Sequence, residues 1–211
     1  MGIKRFLAKQ AYKPSGLFGR FIIGKAFNKS NKNLEDMALE MMDFQNTTSF
    51  LEIGFGNGRL LQKVASLNPE GANHGIEISK AMINAAYKGN KKLIEQGKIH
   101  IHEGSVEAIP FGSGTFDIVF SANTIYFWPD PMENLKEVLR VLADEGKFYC
   151  GFRSREEMEQ TGLMKDNPEI FSNLYNPVAI KELFKEAGFR EVTVHKNEDK
   201  PFDNYIAVGR A

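Results

Sequence analysis

Apolar residues recur along the chain in two alternating rhythms. Short β-branched or apolar runs fall at Ser49–Ile53, Asn73–Ile78, Lys98–His102, Phe116–Ser121 and Lys147–Gly151, each the length of a strand. Between most of them the period lengthens to that of a helix. Leu60, Leu61, Val64 and Leu67 make one stripe; Met82, Ile83, Ala86, Leu93 and Ile94 make another, interrupted by Gly89. Asp130-Pro131 supplies an N-cap and a first-turn proline ahead of Leu135, Val138, Leu139 and Leu142. Strands alternating with helices predict a parallel sheet covered on both faces.

The tail changes rhythm. Pro177 opens a helix through Ile180, Leu183 and Phe184 that stops at Gly188. Two strand-like runs follow, Glu191–His195 and Tyr205–Val208, joined by the polar turn Asn197–Asp203. Strands joined without a helix form a hairpin, so the last strand should run antiparallel to its neighbours. The expected class is therefore α/β: an open twisted sheet of about seven strands, mostly parallel with an antiparallel C-terminal strand. Upstream, Leu34–Met42 reads as a helix leading into the first strand. Residues 152–175 have no clear period and read as an insertion beside the open, substrate-side end of the sheet.

Composition narrows the class. With 211 residues, 42% hydrophobic and 26% charged, the chain suits one medium folded domain and is not fibrous or disordered. Its 27 basic and 27 acidic residues cancel, but unevenly. Residues 1–34 hold eight bases, from Lys4 to Lys32, and no Asp or Glu, leaving the rest acidic. The chain is thus divided into a basic N-terminal arm, 1–34, and a ligand-binding domain, 35–211. The single cysteine, Cys150, allows no internal disulfide or cysteine-rich zinc site and suggests a reducing, cytoplasmic setting. No apolar run approaches a membrane span, and the start lacks a secretory apolar region.

The stretch Leu51-Glu52-Ile53-Gly54-Phe55-Gly56-Asn57-Gly58-Arg59-Leu60 sets a glycine-rich turn between a strand and a helix. Open α/β sheets bind nucleotides at such turns. A dinucleotide fingerprint needs its third glycine at position 59, which is Arg59; here it falls at Gly58. Glu52 would oppose a pyrophosphate and suits a ligand bearing an ammonium group, although a carboxylate there also braces a loop by accepting N–H bonds. Glu77 ends the second strand, where an acid can accept both hydroxyls of a ribose. It argues for an adenosine ligand; a solvated strand-end charge is the other reading. The fourth strand opens onto Asn123, Tyr126 and Trp128, an amide and two aromatic faces that can attract a cation. Aromatic residues at that place also pack under helices. The four histidines, His74, His100, His102 and His195, sit in strand-like runs, lack helical zinc spacing, and read as structural or exposed, so no metal site is expected.

The ordered set Glu52–Gly58, Glu77, Gly104–Phe111, Phe116–Trp128 and Gly146–Gly151 resembles the class I S-adenosylmethionine-dependent methyltransferases, and within them the small-molecule and quinone-biosynthesis type. The likeness spans roughly residues 45–152 and rests on the order of the motifs together. It implies a Rossmann-like sheet and S-adenosylmethionine as cofactor, with S-adenosylhomocysteine as product. Gly54, Gly56 and Gly58 would lie against the methionine and ribose, Glu52 would help hold the amino group, and Glu77 would take the ribose hydroxyls. Ile78 would pack on the adenine. Ser105 stands where family members often carry Asp, and the Val106 N–H could still read the ring. Asn123 would meet the methionine end near the methyl.

The expected activity is methyl transfer to a small-molecule acceptor. Its expected lining is Tyr126, Trp128, Phe152 and Arg153, with no catalytic residue assigned, because an activated methyl mainly needs alignment. No N/D-P-P-Y/F/W tetrapeptide follows the fourth strand, which disfavours adenine or glutamine N-methylation. Alternatives left open are a non-catalytic cofactor-binding module, a nucleic-acid methyltransferase using the basic arm, and, last, a nucleotide-dependent oxidoreductase. The arm is read as a cover over the acidic crevice at Glu52 and Glu77, with a solvated or membrane-surface arm as its alternative.

Overall fold

Phe50, Leu51, Glu52 and Ile53 are all buried, because their strand, β1 (Phe50–Ile53), is covered on both faces. Successive side chains point to opposite faces. Phe50 joins one apolar cluster with Ile118, Phe120 and Tyr149, while Leu51 and Ile53 join another with Val119, Phe148 and Cys150. Those partners come from β4 (Phe116–Ala122) and β5 (Leu142–Phe152). The computed structural model describes residues 10, 12, 24–45, 48–160, 167, 170–171, 173–197 and 204–211.

Strand β1 pairs in parallel with β2 (Asn73–Glu77) and β4, β2 with β3 (His100–Glu103), and β4 with β5. Strand β7 (Asn204–Arg210) runs antiparallel to β5 and to β6 (Arg190–Asn197). The order β3-β2-β1-β4-β5-β7-β6 gives the seven-stranded, mostly parallel sheet that the alternation predicts. Residues 198–203 of the anticipated Asn197–Asp203 turn lie outside the described residues.

Among the described residues one face is covered chiefly by α1 (Gly24–Met41), α2 (Arg59–Leu67) and α3 (Lys80–Gly89). They contribute Leu34 and Ala38, Leu60, Leu61 and Val64, and Ala86 to the cluster around Phe50. The second predicted stripe breaks after Gly89, where the Asn90 side chain donates to Ala86 O and Gly58 O before α4 (Lys91–Glu95). The opposite face is covered by α5 (Pro131–Val141) and α7 (Pro177–Glu186). Their caps are those the sequence offers: Asp130 accepts the Glu133 N–H at 3.2 Å and Asn176 the Ala179 N–H at 2.8 Å.

One boundary differs. The helix expected over Leu34–Met42 begins at Gly24, so residue 34 lies within α1. The polar stretch Asn28-Lys29-Ser30-Asn31-Lys32-Asn33 hides the earlier turns from an apolar count. Helix α1 seats Leu34 over Gly151 of β5, where a Cβ would come within 2.8 Å of Leu34 Cδ2. Of the expected 152–175 insertion, residues 161–166, 168–169 and 172 lie outside the described residues. The described remainder includes α6 (Arg155–Gln160) and folds back on the sheet end: Asn173 Nδ2 donates to Trp128 O at 2.6 Å, and the Arg155 N–H to Tyr175 O at 3.0 Å.

The β2–β3 margin carries three of the four histidines on one face. His74 stacks on His100 and His102 at 4.8 and 5.5 Å, with Phe111 and Phe116 edge-on to it. Burial, then the two neighbouring imidazoles, lowers its pKa from 6.5 to about 4. Between those values the unfolded chain binds a proton that the folded chain refuses, so stability falls as pH drops through the window and is kept above it. Urea denaturation from pH 7 to 4 should show this loss, and His74→Asn should flatten it. An unchanged slope in that variant would assign the acid sensitivity elsewhere.

Candidate functional site

The carboxyl ends of β1, β2 and β4 meet at one edge, since Ile53 pairs with both Ile76 and Ser121. From Ile53 the chain turns back into α2 through Gly54, Gly56 and Gly58, all left-handed at φ +74°, +58° and +75°. The turn is fixed from β2. Gly54 N–H donates to Ile76 O at 2.8 Å, and Gly56 N–H to Glu77 Oε2 at 3.0 Å. The other Glu77 oxygen accepts the Ser79 N–H at 2.8 Å, so one carboxylate joins the glycine turn to the start of α3.

Glu52 points to the α1 and α2 side of the sheet and is 6% exposed. Its Oε2 is buried with no hydrogen-bond partner. Burial, reinforced by the nearby carboxylates of Glu35 and Glu77, pushes the Glu52 carboxyl well above the usual carboxylate range, against the pull of Arg59 and the Leu61 N–H. Arg59 is itself held by α1, with Nη2 donating to Glu35 Oε2 at 2.6 Å, and Lys63 Nζ meets Asp36 Oδ1 at 2.5 Å. Burial raises Glu35 as well, opposed by Arg59. Glu35 and Glu77 thus lie near Glu52 while Arg59 and Lys63 are paired to acids of α1, an arrangement that favours a positively charged ligand at Glu52.

Two hydrogen-bond relays organise the β4 end, and their directions follow from what each group can do. The Trp128 ring N–H can only donate, and meets Thr124 Oγ1 at 3.1 Å; Ile53 O can only accept, and meets Ser121 Oγ at 3.1 Å. The Thr124 hydroxyl therefore donates to Ser121, joining the aromatic turn to the base of the glycine turn. In the second relay Arg153 N–H donates to the Tyr126 hydroxyl at 2.5 Å, and that hydroxyl donates to Asn123 Oδ1 at 3.0 Å. Asn123 Nδ2 then donates to Asn31 Oδ1 of α1 at 2.9 Å. Asn123 holds φ +54°, a left-handed conformation that asparagine tolerates better than most residues.

The structure brings Glu52, the three glycines and Glu77 together, with Asn123, Tyr126 and Arg153 at the adjoining β4 and β5 ends. Ile78 is half-buried just past β2. Ser105 follows β3 with its hydroxyl turned onto Glu107 Oε2 at 2.9 Å, and Val106 is buried. Tyr126, Trp128 and Phe152 are core residues and not exposed faces: Tyr126 meets Phe127 edge-on at 6.0 Å, Trp128 stacks on Phe148 at 6.2 Å, and Phe152 on Tyr205 at 5.5 Å. Among the described residues no group of three or more His, Cys, Asp or Glu is arranged to hold a metal ion, and no helix is long and apolar enough to cross a membrane. Sequence reasoning did not find Asn31, Glu35 or Thr124. Arg59 marked only the broken fingerprint; its partner lies 24 residues away on a helix that carries no motif.

The family model for a methyltransferase domain matches residues 51–150. YrhH of Bacillus subtilis, a protein assigned as a methyltransferase, is 33% identical over 141 residues, covering 65% of this chain and 77% of that protein. The demethylmenaquinone methyltransferase of Lactococcus lactis is 34% identical over 168 residues, 68% of this chain and 66% of that one. Among solved structures, the methyltransferase bound to the Trm112 activator from Haloferax volcanii superposes with a TM-score of 0.81 at 18% identity, covering 92% of this chain and 96% of that one. That last likeness is one of fold.

The turn glycines differ in what surrounds them. A Cβ on Gly54 would fall 2.6 Å from Thr124 Cγ2, inside the first relay, whereas one on Gly56 meets nothing within 4 Å. Gly54→Ala should cost about 2–4 kcal/mol in chemical denaturation, combining left-handed strain with overpacking, and Gly56→Ala only about 1 kcal/mol. Equal losses would show that Thr124 is free to move.

Proposed function

The chain belongs to the S-adenosylmethionine-dependent methyltransferases, and from that premise we propose that it methylates the ring of a reduced quinone or a comparable lipophilic hydroquinone. The observation that most supports the cofactor's place is the unpartnered, buried oxygen of Glu52 beside an open glycine turn. An amino acid ammonium would complete that carboxylate, so the residues present fit the cofactor. When bound, S-adenosylmethionine supplies a methyl group activated by a positively charged sulfur.

Glu52 holds the amino group. Gly54, Gly56 and Gly58 give the backbone close access to the methionine and ribose, and Glu77 takes the ribose hydroxyls. Ile78 packs on the adenine, beside Ser105 and the Val106 N–H, and Asn123 meets the methionine end. Arg153 stands on the acceptor side, with Tyr126, Trp128 and Phe152 behind it as packing. Burial holds the Tyr126 phenol well above its usual range, so it stays protonated and orients groups without acting as a base. The work of this chain is alignment and exclusion of water.

The acceptor class rests on the likeness to the Lactococcus lactis demethylmenaquinone methyltransferase. A quinone ring is electrophilic, and only its reduced form offers the electron-rich carbon or oxygen that an activated methyl requires. We take the basic arm, 1–34, as a cover on the acceptor side whose last turns belong to α1 and are packed on the cofactor domain, 35–211. The Tyr12 ring, 5.5 Å from that of Phe127, supports this. The buried free thiol of Cys150 fits a cytoplasmic enzyme.

S-adenosylhomocysteine should bind in calorimetry, and a short-chain demethylmenaquinol should gain label from methyl-labelled S-adenosylmethionine. Binding without methylation of any hydroquinone would overturn the acceptor class. Because Glu52 is pushed toward its neutral form, capture of an ammonium at mildly acidic pH should release a proton, read from binding heats in buffers of different ionisation enthalpy. Glu52→Gln should abolish that release and weaken S-adenosylhomocysteine roughly 10- to 100-fold.

A further inference from the structure

Helix α1 meets the site at two points on one face. Asn31, Leu34, Glu35 and Ala38 follow the three- and four-residue spacing that places helix side chains in one row. Leu34 fills the notch left by Gly151, and Gly151 O accepts the Asn123 N–H at 2.8 Å. One turn earlier, Asn31 Oδ1 accepts from Asn123 Nδ2 at 2.9 Å; one residue later, Glu35 takes Arg59 beside the glycine turn. The backbone bond to β5 fixes where Asn123 sits. The side-chain amide is gripped from opposite sides, by Tyr126 on its oxygen and by Asn31 on its nitrogen.

We propose that Asn31 is a positioning residue, which orients the Asn123 amide at the end of β4 and so lets the N-terminal helix set the alignment of the reacting groups. This rests on the functional reading above only for the last step. The orientation of Asn123 is a property of the chain itself. An amide held on one side alone can rotate about its last torsion, which is broad for asparagine. With Asn31 in place, one N–H is committed to α1 and the plane of the amide is set, the other N–H being used by neither bond.

The test uses the full chain with asparagine side chains labelled with nitrogen-15, and Asn123→Ser to assign the Asn123 pair. In the wild type the Asn123 amide protons should exchange slowly, whether or not a methyl acceptor is known. Asn31→Leu, which keeps the bulk and removes the acceptor, should speed that exchange about 10-fold, and Asn31→Asp, which keeps an acceptor oxygen, should restore it. With a short-chain demethylmenaquinol as acceptor, Asn31→Leu should lower kcat about 10-fold or more, the KM for S-adenosylmethionine changing less than about 3-fold. Asn31→Asp should recover most of the rate. Unchanged exchange in Asn31→Leu, or an Asn31→Asp as impaired as Asn31→Leu, overturns the proposal. A wild type that binds S-adenosylhomocysteine but methylates no hydroquinone overturns the acceptor reading instead and leaves amide exchange to decide this one.

Discussion

A carboxylate placed away from water costs free energy that apolar packing cannot return unless an opposite charge or a set of donors meets it. Glu52 is such a group, and much of the local architecture answers to it. It sits in a strand only four residues long, covered on both faces, with the start of α2 beneath one oxygen and nothing on the other. Arg59 offers partial relief but is itself committed to Glu35. Its carboxyl is therefore held toward the neutral form, and an ammonium beside the open oxygen would draw it back to the charged one.

Most of the sheet was legible because its signals are local. Period-two runs, the Asp130-Pro131 start, the Pro177 start and the hairpin tail each need only neighbouring residues to be read. The glycine turn and the two acids that flank it were legible for the same reason. What escaped depends on separation in sequence. Asn31 meets Asn123 across 92 residues and Glu35 meets Arg59 across 24, and neither pairing leaves a trace in any window of a dozen residues. The aromatic stretch after β4 was ambiguous on chemistry alone. Trp128 and Phe152 look like ligand-facing rings in sequence, yet the space beneath α5 and α7 and beside β7 claims them first.

The two relays at the end of β4 divide the labour between rigidity and recognition. One runs from Trp128 through Thr124 and Ser121 to the backbone of Ile53, all of it buried or half-buried and none of it aimed at a ligand. It holds the glycine turn and the aromatic turn as a single piece. The other ends on an amide with capacity left for a ligand. A site built this way gains accuracy from parts that never touch what it binds.

Helix α1 lies near the beginning of the chain, and its buried face shares an apolar cluster with Ile206 in the last strand, as well as with Phe50 and Tyr149. The apolar row of the helix therefore finds partners in β1, α2 and β5 first and is completed only when β7 joins the sheet. Contacts spanning so much sequence close slowly and late. The seating of the helix that carries Asn31 is thus tied to the antiparallel strand at β5, and the grip on Asn123 depends on a strand that contributes nothing to the crevice.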